Sequence, residues 1–174
     1  MSVAQTIIKN NANRKKPGDI VTRVNNELYT ANHHQFFLTL FIGVLNVNNG
    51  RLTYCNAAHT STVILNSNND IVELGLSHGL PLGLYPEKKY KDTTINLIPG
   101  DSLILFTDGL IELQNEHKEI FGPERFHKLL KSLSNFAPRN LITHLENDLE
   151  TYKGRAKQVD DITVMAIKYF GNEK

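Results

Sequence analysis

Leu103-Ile104-Leu105-Phe106-Thr107-Asp108-Gly109 is an apolar run that stops on an acid and a glycine. Four consecutive apolar residues of this kind read as a buried strand. The Asp-Gly pair then turns the chain and leaves a carboxylate at the strand's rim. A second segment has the same grammar in reverse order. Val159-Asp160-Asp161-Ile162-Thr163 leads into Val164, Met165, Ala166 and Ile167. Each acid is held at the edge of a strand, where its charge must be met by water, a base or a cation. Two such rims brought together would make an all-oxygen site suited to a hard cation such as Mg²⁺ or Mn²⁺. Each segment also has a plain reading. Asp-Gly is a common turn, and adjacent aspartates at a strand start can be a solvated end, with one side chain on each face.

Outward from these segments the pattern is mixed. Residues Ser2 to Asn13 predict a helix with Val3, Ile7 and Ile8 on one side, and Pro17-Gly18-Asp19 breaks it. Asp19 is then placed to cap a second helix, Ile20 to Tyr29, on the apolar spacing of Ile20, Val21, Val24 and Leu28. A long strand, Phe37 to Val47, meets the turn Asn48-Asn49-Gly50, whose residues tolerate positive φ, and returns as Arg51 to Ala57. Short strands follow at Thr62 to Leu65, Ile71 to Leu74, Thr93 to Leu97 and Ser102 to Phe106. Pro123 opens a helix carrying Phe126, Leu129 and Leu130. Asn140 to Leu149 forms another, whose stripe of Leu141, Ile142, Leu145 and Leu149 is core packing. Thr151 to Gln158 reads as a loop, and Asp160 as the start of the last strand. Helices, a run of antiparallel strands, then helices and a final strand predict an α+β fold in one domain over 1–174.

Composition narrows the function. The chain has 174 residues and a net charge of +1, which gives no bulk attraction to nucleic acid. The basic stretch Arg14-Lys15-Lys16 reads as a solvated loop, with an anion site the alternative. The single cysteine, Cys55, excludes a disulfide framework within the chain and reads as a buried, inert thiol. With no apolar run of about 18 residues and no secretory pattern at the start, no membrane contact is expected from this segment, and the expected compartment is cytoplasmic. His33-His34 and His78 lack partners at metal-ligand spacing and read as surface residues.

Taken in order, the segments Phe37 to Val44, Leu52 to His59, Gly79-Leu80-Pro81-Leu82-Gly83, Pro99 to Leu103, Thr107-Asp108-Gly109-Leu110-Ile111-Glu112, Phe121-Gly122 and Asp160-Asp161-Ile162-Thr163 resemble one known family. It is the SpoIIE/RsbU branch of the metal-dependent (PPM, protein phosphatase 2C-like) serine phosphatases, and the resemblance covers nearly the whole chain. It implies a four-layer αββα sandwich and two divalent ions, Mn²⁺ or Mg²⁺, in the complete family site. It implies hydrolysis of phosphoserine or phosphothreonine by direct attack of a metal-activated water.

The resemblance assigns Asp108 and Asp160 as metal ligands, with Asp161 the alternative in the adjacent pair. Gly109 becomes the backbone beside the metal. Asn56 and His59 match an Asn-Ala-Gly-His segment in which Ala58 replaces the glycine, with a role in substrate binding or in structure. The implied partner is a phosphorylated anti-sigma-factor antagonist of STAS type. The family's earlier turn, Asp-x-x-Gly-His-Gly, which supplies a bridging carboxylate, has no counterpart here, and the chain matches from within the first family helix. Two further expectations follow from that departure. One is a phosphatase-like docking module without turnover; the other is a homodimer that covers an exposed sheet edge.

Overall fold

The computed structural model describes residues 2–12, 16–31, 36–59, 62–74, 79–133 and 137–172. The elements run α1 (Ser2–Asn11), α2 (Pro17–Ala31), β1 (Leu40–Asn46), β2 (Arg51–Ala57), β3 (Thr62–Leu65), β4 (Ile71–Leu74), β5 (Thr93–Asn96), β6 (Ser102–Phe106), α3 (Asp108–Ile111), α4 (Gly122–Ser132), α5 (Pro138–Lys153) and β7 (Val164–Lys168). This is the predicted α+β class, with every paired strand antiparallel. The basic stretch at 14–15, the histidines at 33, 34 and 78, and the first residue lie outside the described residues. Among the described residues no helix is long and apolar enough to cross a membrane.

The chain divides into two compact units. The first holds Met1–His59 and Leu76–Leu97. Its sheet has the order β1-β2-β5. The β1–β2 hairpin pairs Leu40 with Ala57 at one end and Asn46 with Arg51 at the other. Gly50 closes that hairpin at φ +71°, its N–H donating to the Asn46 carbonyl at 2.9 Å. This is the positive φ that glycine adopts without strain. Strand β1 is shorter than the expected run from Phe37. Leu38 instead exchanges two backbone hydrogen bonds with Leu82, at 3.1 and 2.8 Å. Ile20, Val21 and Val24 of α2 pack with Ala4, Cys55, Ala57, Leu82 and Tyr90 into the unit's core.

Helix α2 corrects one expectation. It begins at Pro17, not Ile20, so Asp19 lies inside the first turn and caps nothing. Proline suits the first turn because the N–H it lacks would have no intrahelical partner. The free N–H of Gly18 donates to Asp92 Oδ1 at 2.6 Å, so the cap is supplied from far along the chain.

The second unit holds Thr60–Gly75 and Ile98–Lys174. Its sheet has the order β4-β3-β6-β7. One face is covered by α4 and α5 through a core that includes Val63, Leu65, Ile104, Phe106, Phe126, Leu130, Leu141, Leu145 and Leu149. Phe106 and Phe126 meet edge to face at 4.6 Å. The leucine stripe of α5 is therefore core, as its spacing predicts. The helix runs on to Lys153, through residues expected as loop, because Tyr152 stacks edge-on against Phe121 at 5.2 Å and extends the buried face. Two further corrections bear on the acids. Asp108 opens the short helix α3 instead of a free turn, and β7 starts at Val164, leaving Asp160 to Thr163 as a lead-in outside the strand.

Candidate metal centre

Thr107 joins the two acidic segments. Its N–H donates to the Thr163 carbonyl at 3.0 Å, continuing the β6–β7 ladder past the last strand residue. Its hydroxyl donates to the Asp161 carbonyl and accepts from the Thr163 N–H, both at 3.0 Å. A threonine just before a helix ordinarily caps that helix. Thr107 holds the N-cap position of α3 yet makes no side-chain cap bond, because its hydroxyl is turned to the other segment.

Gly109 completes the junction. A Cβ at this position would lie 2.6 Å from the Asp161 carbonyl oxygen and 3.4 Å from the Asp160 Cβ. The glycine is needed for this close approach of backbones, since it sits inside helix α3 and turns nothing. The sequence-predicted pair is thus brought together. Asp108 and Asp160 occupy facing segments held in contact by Thr107 and Gly109.

Each carboxylate is oriented by the next residue. Asp108 Oδ1 accepts from the Gly109 N–H at 3.1 Å, and Asp160 Oδ1 from the Asp161 N–H at 2.7 Å. Both side chains are exposed, and neither forms an ion pair among the described residues. Two oriented carboxylates without a basic partner form an oxygen donor set that suits a hard cation. Magnesium in particular is held by one or two carboxylates with water completing the shell. No group of three or more His, Cys, Asp or Glu is placed to hold a metal among the described residues. Two carboxylates are fewer oxygen ligands than a two-ion centre needs.

Asn56 and His59 belong to the first unit, where they are joined to each other. Asn56 is 1% exposed. Its Oδ1 accepts from the His59 N–H at 2.8 Å, and its Nδ2 donates to the His59 carbonyl at 3.2 Å. The loop between them turns through Ala58 at φ +56°, the left-handed region where the family's glycine carries no strain. The His59 ring lies 3.3 Å from the Thr39 hydroxyl through Nδ1.

In the same unit Cys55 is fully buried. Burial, with a smaller push from Asp92, raises its thiol pKa to about 12. Burial and Cys55 raise the Tyr90 phenol to about 12 as well. A thiol kept protonated in this way has no nucleophilic use at neutral pH.

Sequence reasoning missed Thr107 as the clamp, the helix α3, and the Asp92 cap. A threonine directly between a buried strand and an acid was the one local signal for the first of these.

The profile of the Stage II sporulation protein E (SpoIIE) family matches residues 1–170. The chain belongs to the SpoIIE family. The family is one of protein phosphatases. Protein IcfG of Synechocystis is 32% identical over 148 residues, covering 83% of this chain and 23% of IcfG. Phosphoserine phosphatase RsbU of Bacillus subtilis is 22% identical over 133 residues, covering 76% of this chain and 39% of RsbU. The chain thus spans well under half the length of either relative. Among solved structures, the SiaA-PP2C domain of Pseudomonas aeruginosa superposes with a TM-score of 0.79 at 19% identity, over 97% of this chain and 66% of that one. At that identity the match speaks to the fold, and it is the PP2C-type fold that the ordered segments predicted.

Proposed function

We propose that this chain is a protein serine/threonine phosphatase domain that removes phosphate from a partner protein in a sigma-factor pathway. The observation that carries the reading is the junction of Asp108 and Asp160, two oriented carboxylates that form no ion pair among the described residues, in a chain of the SpoIIE family. Asp108 and Asp160 would hold Mn²⁺ or Mg²⁺, with Asp161 the alternative ligand of the second segment. When bound, such an ion lowers the pKa of a coordinated water and neutralises charge on the phosphoryl oxygens.

The chain's own residues do the positioning. Thr107 fixes the lead-in to β7, so that Asp160 is presented from a rigid backbone. Gly109 keeps the crease narrow, and the short helix α3 turns Asp108 outward from the end of β6. Family membership supports a phosphorylated anti-sigma-factor antagonist of STAS type as the substrate.

The test is release of phosphate from a phosphoserine peptide by the 174-residue chain with Mn²⁺, beside calorimetric Mn²⁺ titration. Asp108→Asn and Asp160→Asn should each lower turnover by about two orders of magnitude or more, and weaken Mn²⁺ binding in parallel. Undiminished turnover by Asp108→Asn without metal would overturn the reading. Partner binding without metal-dependent turnover would instead make the chain a docking module.

A further inference from the structure

The peptide unit between Asp160 and Asp161 is bonded at both of its ends. Its N–H belongs to Asp161 and donates to Asp160 Oδ1 at 2.7 Å, which orients the carboxylate. Its carbonyl belongs to Asp160 and accepts from Gln158 Nε2 at 2.8 Å. The two groups point in opposite directions from one rigid plane. A side chain that fixes the carbonyl therefore fixes the N–H, and through it the carboxylate.

Burial gives this peptide little help. Residues 157–161 are all exposed, and Val159 is 90% exposed, so the chain has no apolar anchor at this point. Gln158 itself borders two open pockets, one against α5 and one against α3. The order of the stretch must come from hydrogen bonds. Upstream, the Arg155 N–H donates to Glu116 Oε1 at 2.8 Å. Downstream, Thr107 holds the Asp161 carbonyl and the Thr163 N–H.

Between these anchors the peptide before Asp161 can still rotate. Its plane turns about ψ of Asp160 and φ of Asp161 with little movement of the chain on either side. Turned over, it would set a carbonyl oxygen against the Asp160 carboxylate where a donor now stands. The two oxygens would repel, and the carboxylate would leave its place. Gln158 opposes that turn. A lysine could hold the same carbonyl, but its charge would compete with a cation at Asp160. The neutral amide does not.

We infer that Gln158 is a positioning residue for the cation site: its amide clamps the peptide between Asp160 and Asp161, so that the Asp160 carboxylate keeps one orientation. The cation in this inference rests on the phosphatase reading; the clamp rests on the two hydrogen bonds alone.

Gln158→Met keeps the length of the side chain and removes the donor. In the metal-free 174-residue chain, NMR relaxation should give the Asp161 amide an order parameter of about 0.85, as in rigid backbone, and Gln158→Met should lower it toward about 0.6. The Thr163 amide, held by Thr107, should not change. Calorimetric Mn²⁺ affinity should weaken about three- to tenfold, for the loss of one partly solvated hydrogen bond. Turnover of a phosphoserine peptide at limiting Mn²⁺ should fall with it and recover at saturating Mn²⁺, with the peptide KM unchanged. Gln114→Met, at another exposed glutamine on the pocket against α3, should leave every one of these at its wild-type value.

An Asp161 amide that stays equally ordered in Gln158→Met, or one that loosens without loss of Mn²⁺ affinity, overturns the proposal. The two readings fail separately. Mn²⁺-dependent hydrolysis with an unmoved Asp161 amide removes the clamp and keeps the phosphatase. A wild-type chain that binds no Mn²⁺, in which Gln158→Met still loosens Asp161, removes the phosphatase reading and leaves the clamp standing.

Discussion

Gly109 lies so close to Asp161 that a methyl group on residue 109 would stand 2.6 Å from the Asp161 carbonyl oxygen. The clash is with backbone, which cannot swing aside as a flexible side chain can. Gly109→Ala must therefore push the lead-in to β7 away from α3. The cost should be about 1–3 kcal/mol, the usual penalty for overpacking a tight site. Urea denaturation measures that cost. Because the displaced residues include Asp160, Mn²⁺ affinity should fall by more than the loss of stability alone explains. A variant with wild-type stability and wild-type Mn²⁺ affinity would show that the close approach carries no function.

Thr107 allows a sharper separation, because its hydroxyl both donates and accepts across the junction. Thr107→Val keeps the shape and removes both bonds, leaving the Thr163 N–H and the Asp161 carbonyl without this partner. The expected cost is about 1–2 kcal/mol, given that the site is partly solvated. Thr107→Ser keeps the hydroxyl and should stay within about 0.5 kcal/mol of wild type. In turnover assays the valine variant should lose more than the serine variant, with the loss in kcat, since Asp160 is mispositioned while peptide contacts elsewhere persist.

Most of the sheet was legible from short-range signals. Strands β2, β3, β4 and β6 match the sequence reading residue for residue, because each is bounded by strong turn chemistry such as Asn48-Asn49-Gly50 or Pro99-Gly100-Asp101. What escaped depends on contacts between distant residues. The cap of α2 joins Gly18 to Asp92, positions 74 residues apart, and nothing near Gly18 announces it. The C-terminal turn of α5 is kept helical by Tyr152 against Phe121, although Thr151 to Gln158 is polar enough to read as loop. Helix α3 has four residues, too few for any apolar period to show. The acids themselves were legible, since an Asp-Gly after a buried strand and an Asp-Asp before one are local patterns. Their junction was not, because it is made by a threonine hydroxyl and a missing Cβ.

Ala58 holds φ at +56°, where an L-residue with a side chain is strained by about 1 kcal/mol or more. Glycine relieves that strain but costs some backbone entropy in the unfolded chain. The relief is the larger effect here, so Ala58→Gly should stabilise the protein by about 0.5–1 kcal/mol. Thermal and urea unfolding both read this. A fall in stability would mean that the loop does not hold the left-handed conformation in solution.

Asn56 closes the same loop from its buried end, with both halves of its amide bonded to the backbone of His59. Asn56→Ala would strand a backbone donor and acceptor and leave a small void, at a cost of about 2–3 kcal/mol. Asn56→Asp keeps the acceptor for the His59 N–H but sets a carboxylate against the His59 carbonyl. It should therefore be as damaging near neutral pH and recover as pH falls and the introduced acid protonates. An aspartate variant as stable as wild type at pH 7 would argue against the two-sided amide clasp.

Cys55 and Tyr90 give the fold a defined alkaline limit. Both have folded pKa values raised to about 12, against ordinary values of 9.0 and 10.0. Below about pH 9 both groups are protonated in folded and unfolded chains alike, so their contribution to stability is fully present. Between about pH 9 and 12 the unfolded chain releases these protons while the folded chain keeps them, and stability must fall as pH rises. Urea midpoints from pH 7 to 11 should therefore hold level and then decline, and Cys55→Val should flatten the early part of the decline. The same burial predicts that a disulfide reagent at pH 8 leaves the native thiol untouched and reacts fully once urea unfolds the chain. Rapid labelling of Cys55 in the native protein at pH 8 would contradict its burial, and with it the packing of α2 against β2.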